Sequence, residues 1–492
     1  MNTPARVASA PAKDSRIIVV GAGPAGLGAA TRAAELGASV TLIDEAARPG
    51  GQIYRQPPQS MNLKLLIGTP GELARKQRVL ERFERVRERI DYRPDTAAIA
   101  YYPGHQVLVA DQNCSELLKA SAVIVATGLS ELTVPFPGWT LPGITTAGAL
   151  QALLKSDGLR AGERVVLAGT GPLLVAVAAQ LVRAGAEVLA VALLHPFFHL
   201  FRNPALAWKG REAVADGLRY LTILKRAGVP ILDGWIPVCA SGDCEVRNLV
   251  LARRDSQGRP VPGTDRHFAV DSVGLNYGFN ANSELLRMAG ADVVFDGLRG
   301  GWLARREENG STSVPGMFVA GDSAGLRGAL AASADGSVVG AAAAGWILHQ
   351  NVSHFSALTA KDAKERSRHW RFQDALAQLF SLPPGVWSWA RPDTVICRCE
   401  SVQRERIDRA FDDGHLSLNG VKRNCRAAMG FCGGRNCLRT VAALVGERSV
   451  PRENTLPVAV NERGTKVLAM QARPGIRLAT LAALANRVGD EP

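Results

Sequence analysis

The sequence has little lysine, few aromatic residues (6%) and no long hydrophobic run. Its opening stretch, MNTPARVASAPAKDSR, has no apolar h-region and reads as a disordered lead-in over residues 1–14, so export is not expected. No uninterrupted apolar run reaches the roughly 18 residues that cross a bilayer. Ala341–Leu348 is apolar but short and reads as a buried helix. A cytoplasmic location is the resulting expectation. Arginine carries almost all of the net charge of +13, and no basic block is interleaved with aromatics, so nucleic-acid binding is not expected. The charge suits an acidic partner subunit or peripheral contact with an anionic membrane.

What is present begins with size. At 492 residues, 47% hydrophobic and with 50 glycines, the chain is globular and α/β in character, and long enough for about three domains. The central stretch is Ile17–Asp44. An apolar run, Ile17–Val20, ends in Gly21-Ala-Gly23-Pro24-Ala25-Gly26. An alanine-rich amphipathic stretch and a second apolar run, Val40–Ile43, follow, closed by Asp44 and Glu45. This is strand, glycine turn, helix and strand with an acid at the end. Gly21 permits the turn, Gly23 lets backbone approach a pyrophosphate, and Gly26 lets helix and strand pack. Asp44 stands where a carboxylate can accept hydrogen bonds from an adenosine ribose.

Further along, Gly50-Gly51-Gln52 allows close backbone approach to a flat ligand, with the Gln52 amide to bond it. Ala122–Gly128 reads as a buried strand ending in a small-residue turn at Thr127-Gly128, and the mixed charges of Arg75–Arg89 as a solvated helix face. A second fingerprint opens at Gly169-Thr-Gly171, but its third glycine position holds Leu174. Counted as from Gly21 to Asp44, its acid position falls on Ala192. That unit is expected to keep the fold and lose the nicotinamide site. His195 and His199 flank Phe197-Phe198 with no acid nearby, and read as packed or exposed side chains. Val270–Asn276 is expected to be the strand that returns the chain to the first domain. Phe318-Val-Ala-Gly321-Asp322 reads as strand, glycine turn and carboxylate, and Gly328-Ala329 opens a helix whose amides can face a flavin pyrimidine. Asp322 alone could equally be a helix cap.

Five of the eight cysteines fall between Cys397 and Cys437. The spacing Cys397-x-Cys399, then Cys432-x4-Cys437 with Gly433-Gly434 between, argues for metal ligation. Tetrahedral zinc would accept the same four thiolates, but an iron–sulfur centre beside a flavin has an evident purpose. Cys425 is a fifth thiol, either a spare ligand or buried.

The set GAGPAG at 21–26, ATG at 126–128 and AGD at 320–322 resembles the two-dinucleotide-domain flavoproteins of the glutathione reductase class. In these, FAD lies across the first and third segments and NAD(P)H uses the inserted one. The chain lacks their CxxC pair near the flavin, so disulfide reduction is not expected. The CxC…CxxxxC pattern resembles the [2Fe–2S] module of bacterioferritin-associated ferredoxins. From PGGQIYR to CGGRNC, the chain resembles the α subunits of heteromeric amine and imino-acid oxidoreductases, a group that includes opine oxidases, D-hydroxyproline dehydrogenase, hydrogen cyanide synthase flavoprotein subunits and sarcosine oxidase α chains. Threonine is common in that group at the position of Cys425.

The resemblance implies an FAD-binding domain in two parts (15–150 and 273–350) around an inserted, degenerate NAD-like domain (151–272). A helical linker (351–390), a ferredoxin-like domain (391–450) and a tail (451–492) follow. It implies FAD, a [2Fe–2S] cluster, a quinone-type acceptor and a catalytic β flavoprotein subunit. FMN at a subunit interface and a small ferredoxin-like γ subunit, known in parts of the group, are further expectations; NAD(P) is not. No His–carboxylate pair or nucleophile accompanies the flavin motifs, so no catalytic acid or base is assigned. Competing readings are an NAD(P)H-dependent reductase acting alone and a non-enzymatic metal-binding scaffold.

Overall fold

The computed structural model describes residues 16–57, 68–197, 204–349 and 357–448, with 479, 483–484 and 487–488. The lead-in, His199 and most of the tail lie outside the described residues.

Two parallel five-stranded sheets repeat one plan. In the first, Arg16–Val20 is central, with Ser39–Ile43 and Ile90–Arg93 on one side and Ala122–Val125 and Met317–Val319 on the other. In the second, Arg164–Gly169 is central, with Glu187–Leu193 and Ile231–Asp233 on one side and Ser272–Asn276 and Ile144–Thr146 on the other. The apolar runs Ile17–Val20 and Val165–Ala168 are buried on both faces, as strands covered by helices require.

Val270–Asn276 therefore does not return the chain to the first domain. Ser272–Asn276 pairs with Arg164–Gly169 inside the second sheet, and its alternate faces are buried there. The return runs through Phe279–Ala281, which pairs antiparallel with Leu129–Glu131. The second sheet also takes Ile144–Thr146, so it draws strands from beyond both boundaries expected at 151 and 272.

The helix Pro24–Glu35 starts with proline at its first turn and stops at Gly37, which adopts φ +86°. It packs on Ala329–Leu348 with almost no space between backbones. A Cβ on Gly336 would lie 1.9 Å from the Ala25 carbonyl oxygen, and one on Gly340 2.2 Å from that of Ala29. Because 25 meets 336 and 29 meets 340, the helices run parallel, and both N-termini open at the carboxyl end of the first sheet. Ligand sites of open α/β sheets form there. The apolar segment expected at Ala341–Leu348 is the end of this 20-residue helix, which is long and apolar enough to cross a membrane by length and composition, yet most of its residues are buried inside the protein. Alanines raise its hydropathy, and the glycines among them allow the close packing.

The last described domain joins the short hairpin Val395–Cys397/Val402–Gln403 to helices Arg404–Asp412, Leu418–Cys425 and Leu438–Arg448 around its own apolar core.

Candidate flavin crevice and cysteine centre

The first glycine turn is built on contacts that exclude side chains. Gly21 holds φ +105°, and a Cβ on it would lie 2.4 Å from the Ala126 carbonyl oxygen; one on Gly26 would lie 1.6 Å from that of Gly21. Gly51, at φ +59°, packs on Gly23 so closely that a Cβ would fall 2.7 Å from the Gly23 Cα. Gly23 and Gly128, in contrast, face space: a Cβ on Gly23 meets only the Gly51 Cα, at 3.8 Å, and one on Gly128 meets nothing within 4 Å. A floor of bare backbone thus lies beside the N-terminal amides of Pro24–Glu35, which suits a pyrophosphate.

Asp44 is fixed at the rim: its carboxylate accepts from the Ala22 amide and, at 2.7 Å, from that of Ala46. Burial raises its pKa against the pull of those amides. Glu45 beside it is exposed, as is Gln52, whose Oε1 accepts from Arg55 at 2.8 Å. From that loop, Ile53 and Tyr54 line the cavity instead. Thr127 and Gly128 are clamped from the third segment. Thr127 Oγ1 donates to the Asn282 carbonyl (2.7 Å), Asn282 Nδ2 to the Thr127 carbonyl (2.9 Å), and the Gly128 amide to Ser323 Oγ (2.7 Å). The Asp322 carboxylate accepts the amides of Arg327 (2.8 Å) and Gly328 (2.9 Å). It is thus a cap for the turn into Ala329, while burial raises its pKa.

Below this turn the Gly321 amide donates to Asp335 at 2.8 Å. Asp335 is 1% exposed and receives Arg306 at 2.8 Å and Arg366 at 3.2 Å. Burial alone would raise its carboxyl, and the two guanidinium groups outweigh it, holding the pKa below the ordinary carboxylate value. Asp335→Ala would leave two buried guanidinium groups unpaired at a cost of about 3–5 kcal/mol, seen as a lowered urea midpoint. A depressed folded pKa stabilises above the usual carboxylate range, so the wild-type advantage over the variant is expected to shrink as pH falls through it.

A cavity of about 370 Å³ extends from Ala329 and Leu330 to the second glycine turn, and is walled by Phe372, Leu376 and Phe380. In the second domain, Leu174 is fully buried. An irregularity between Val165 and Val166 shifts the strand pairing, so Leu193 rather than Ala192 stands where Asp44 stands in the first. Neither is acidic. The crevice is also strapped from outside. Thr170 Oγ1 donates to the Phe380 carbonyl (3.4 Å), and His195 Nε2 to that of Ser381 (2.6 Å). Sequence reasoning missed this strap, because nothing local in 380–382 signals what it covers.

Cys397, Cys399, Cys432 and Cys437 come together as two pairs. Cys437 is hydrogen-bonded to Cys397 and Cys432 to Cys399, and Cys399 is also within electrostatic reach of Cys397. The Cys437 bond, helped by the amides of Ala428, Glu400 and Cys399, draws the Cys397 thiol down to about 6. Burial and Cys432 push Cys399 up to about 11. Among the described residues, no three His, Cys, Asp or Glu side chains converge to hold a single ion. A two-iron cluster takes two thiolates on each iron, and four thiols gathered as two pairs fit it. Cys425 points elsewhere: its buried thiol donates to the Val421 carbonyl at 3.2 Å. Ser401, Arg426 and Ala428 hold positive φ around the centre, strain that persists only where the surroundings enforce it.

The cysteine loop is latched to the crevice wall. Arg435 pairs with Glu284 at 2.7 Å, and Asn280 Nδ2 donates to the Arg435 carbonyl at 3.0 Å. Arg439 donates to the carbonyls of Phe279 (3.1 Å) and Gly297 (2.9 Å) and lines the large cavity. Burial lowers its pKa to about 10, so it stays charged at neutral pH.

Two glycine-turn sheets with a two-pair cysteine domain define an iron–sulfur flavoprotein. The chain belongs to the pyridine nucleotide-disulphide oxidoreductase family, whose model matches residues 15–336, and carries a BFD-like [2Fe-2S] binding domain over 395–447. It is an oxidoreductase whose cofactors are FAD and a [2Fe–2S] cluster. It is 34% identical over 440 residues to hydrogen cyanide synthase subunit HcnB of Pseudomonas aeruginosa, covering 86% of this chain and 91% of the relative. It is 30% identical over 487 residues to an opine oxidase subunit of Rhizobium meliloti, covering 96% and 98%. The solved L-proline dehydrogenase from P. horikoshii shares the fold, with TM-score 0.65 and 19% identity over 96% of this chain and 80% of that one.

Proposed function

We propose that this chain is the α-type subunit of a heteromeric dehydrogenase or oxidase of secondary amines or amino acids, passing electrons from a catalytic β flavoprotein subunit to a quinone-type acceptor. The observation that carries the reading is the latch: Arg435, Arg439 and Asn280 seat the cysteine loop against the wall of the crevice, so two redox centres share one wall. The names of the relatives, two of them subunits of enzymes acting on opines and on the formation of cyanide, support the amine class.

In this reading Gly21, Gly23, Pro24, Ala25 and Gly26 present backbone to the pyrophosphate of FAD, and Asp44 with Glu45 faces the adenosine ribose. Gly51, Gln52, Thr127 and Gly128 border the middle, and Gly321, Asp322 and Ala329 the flavin end. Cys397, Cys399, Cys432 and Cys437 hold the cluster. Bound FAD supplies the exchange between two-electron and one-electron chemistry. The chain fixes the crevice through the Thr127–Asn282–Ser323 clamp, excludes water with Phe372, Leu376 and Phe380, and keeps the positive charge of Arg439 beside it. In this reading there is room for FMN and a small γ subunit at the interfaces of the assembly, which is set in the cytoplasm.

The test is co-expression with the candidate β subunit, followed by a screen of opines, sarcosine and D-hydroxyproline with an artificial dye. Amine-dependent dye reduction that requires both subunits is expected. Flavin bleached by NADH, and by no amine with the partner present, would replace this reading by a stand-alone reductase. The strap over Thr170 and His195 counts against that outcome.

A further inference from the structure

The loop from Arg426 to Cys432 exposes two large apolar side chains, Met429 at 50% and Phe431 at 67%. The loop is built, not slack. The Met429 amide donates to the Arg426 carbonyl (3.0 Å), the Gly433 amide to the Gly430 carbonyl (2.9 Å), and a Cβ on Gly430 would lie 2.3 Å from the Cys399 Cβ. Its neighbours Ala427 and Ala428 are buried in the core of the domain. The fold thus presents Met429 and Phe431 outward, beside the two half-buried cysteines: Cys432 follows Phe431, and Cys399 packs on Gly430. Cys397 and Cys437 are buried. Electron transfer weakens steeply with distance, so a protein exchanging electrons with the centre gains most by docking on this edge.

The exposed charges named around the edge are cationic. Arg398 lies between Cys397 and Cys399, over the Trp139 ring, and Arg423 and Arg426 end the helix before the loop, all three exposed. One carboxylate, Glu400, reaches the loop at Gly430 and pairs with Arg426 at 2.7 Å, so Arg398 and Arg423 carry the net charge of the rim. A small apolar centre with a cationic rim, on a chain of net charge +13, matches the small, charge-steered contacts of transient electron-transfer pairs. Permanent subunit interfaces are larger and more apolar.

We propose that the Met429–Phe431 face docks an acidic one-electron carrier protein, with an apolar centre ringed by carboxylates, which takes electrons from the cluster and carries them on to the quinone-type acceptor. The inference rests on the electron-relay reading. One electron passes from the reduced cluster to the carrier's ferric haem, which becomes ferrous; no bond is made or broken and no proton moves.

The test uses the holoprotein with its partner subunit, reduced by dithionite and freed of excess, mixed with acidic cytochrome b5 and followed by ferrous haem absorbance. Loading by dithionite bypasses the amine, so a failure of the relay reading leaves this result intact and distinguishable. The rate is expected to fall about tenfold between low and physiological salt, as screening of opposite charges requires. Basic cytochrome c is expected to show no such fall. Met429→Glu with Phe431→Glu is expected to lower the rate about tenfold or more, with cluster absorbance, its paramagnetic spectrum and reduction of an uncharged dye unchanged. Arg423→Glu, on the exposed rim, is expected to weaken the salt dependence without touching the cluster. An unchanged rate in both variants overturns the proposal. So does loss of the partner subunit from the Glu variant on gel filtration, which would make the face a subunit interface.

Discussion

Gly26→Ala is expected to yield protein that keeps its iron and loses its flavin. The cause is a single contact. The added methyl would begin 1.6 Å from the Gly21 carbonyl oxygen, far inside contact distance, and Gly21 is itself pinned between Ala126 and the hydrogen bond its amide donates to the Ile43 carbonyl. The helix start must therefore move away from the strand. It cannot move freely, because the same helix is locked on Ala329–Leu348 through the Ala25–Gly336 and Ala29–Gly340 approaches. The strain falls on the amides of Gly23, Ala25 and Gly26, which are the ones a pyrophosphate needs. Flavin affinity is expected to drop about a hundredfold or more, which corresponds to about 2.7 kcal/mol. The check is flavin absorbance per chain after gel filtration, with iron measured on the same sample. Gly446→Ala is the control: it lies in the helix Leu438–Arg448 with nothing within 4 Å of the new methyl, and is expected to be neutral or to stabilise by about 0.5–1 kcal/mol. A Gly26→Ala protein with full flavin would remove the glycine turn from the cofactor site.

The reach of the sequence follows from how local each constraint is. Strand, glycine turn and helix over 17–35 are written in neighbouring residues, because sterics at Gly21 and Gly26 act within a few positions. The acid at 44 was legible for the same reason. The place of Ser272–Asn276 was not, since a buried parallel strand reads alike in either sheet and only its partners decide. The count to Ala192 went astray by one residue because a strand irregularity leaves no mark in composition. The clamp of Thr127 by Asn282 and Ser323, the latch of Arg435 and Arg439, and the Phe380–Ser381 strap all join segments more than a hundred residues apart. Polar residues in such places look like ordinary surface until the partner is seen. Glu131 is the same case: it accepts the Gly148 amide at 2.9 Å and Asn276 Nδ2 at 2.7 Å, binding the strand Leu129–Glu131 to the second sheet.

The five late cysteines divide by where their sulfurs point, and serine substitutions read that division. Cys432→Ser is expected to release both irons that a [2Fe–2S] centre holds. The Cys399–Cys432 pair would be broken, and one iron left with a single thiolate from the chain. Because ligation energy is folding energy in so small a domain, the loss is expected to reach beyond the metal. The loops at Ser401, Arg426 and Ala428 hold left-handed backbone, a cost of about 1–3 kcal/mol each that the surroundings must offset. Without the cluster they are expected to relax, exposing the 395–447 segment to limited proteolysis while the flavin sheets stay resistant. Cys425→Ser should do none of this: a serine hydroxyl can donate to the Val421 carbonyl as the thiol does at 3.2 Å, and both cysteine pairs remain. Iron content, the visible spectrum of the cluster and the proteolysis pattern decide the matter on one preparation. Iron lost from Cys425→Ser and kept in Cys432→Ser would exchange the roles of the two residues and undo the two-pair arrangement.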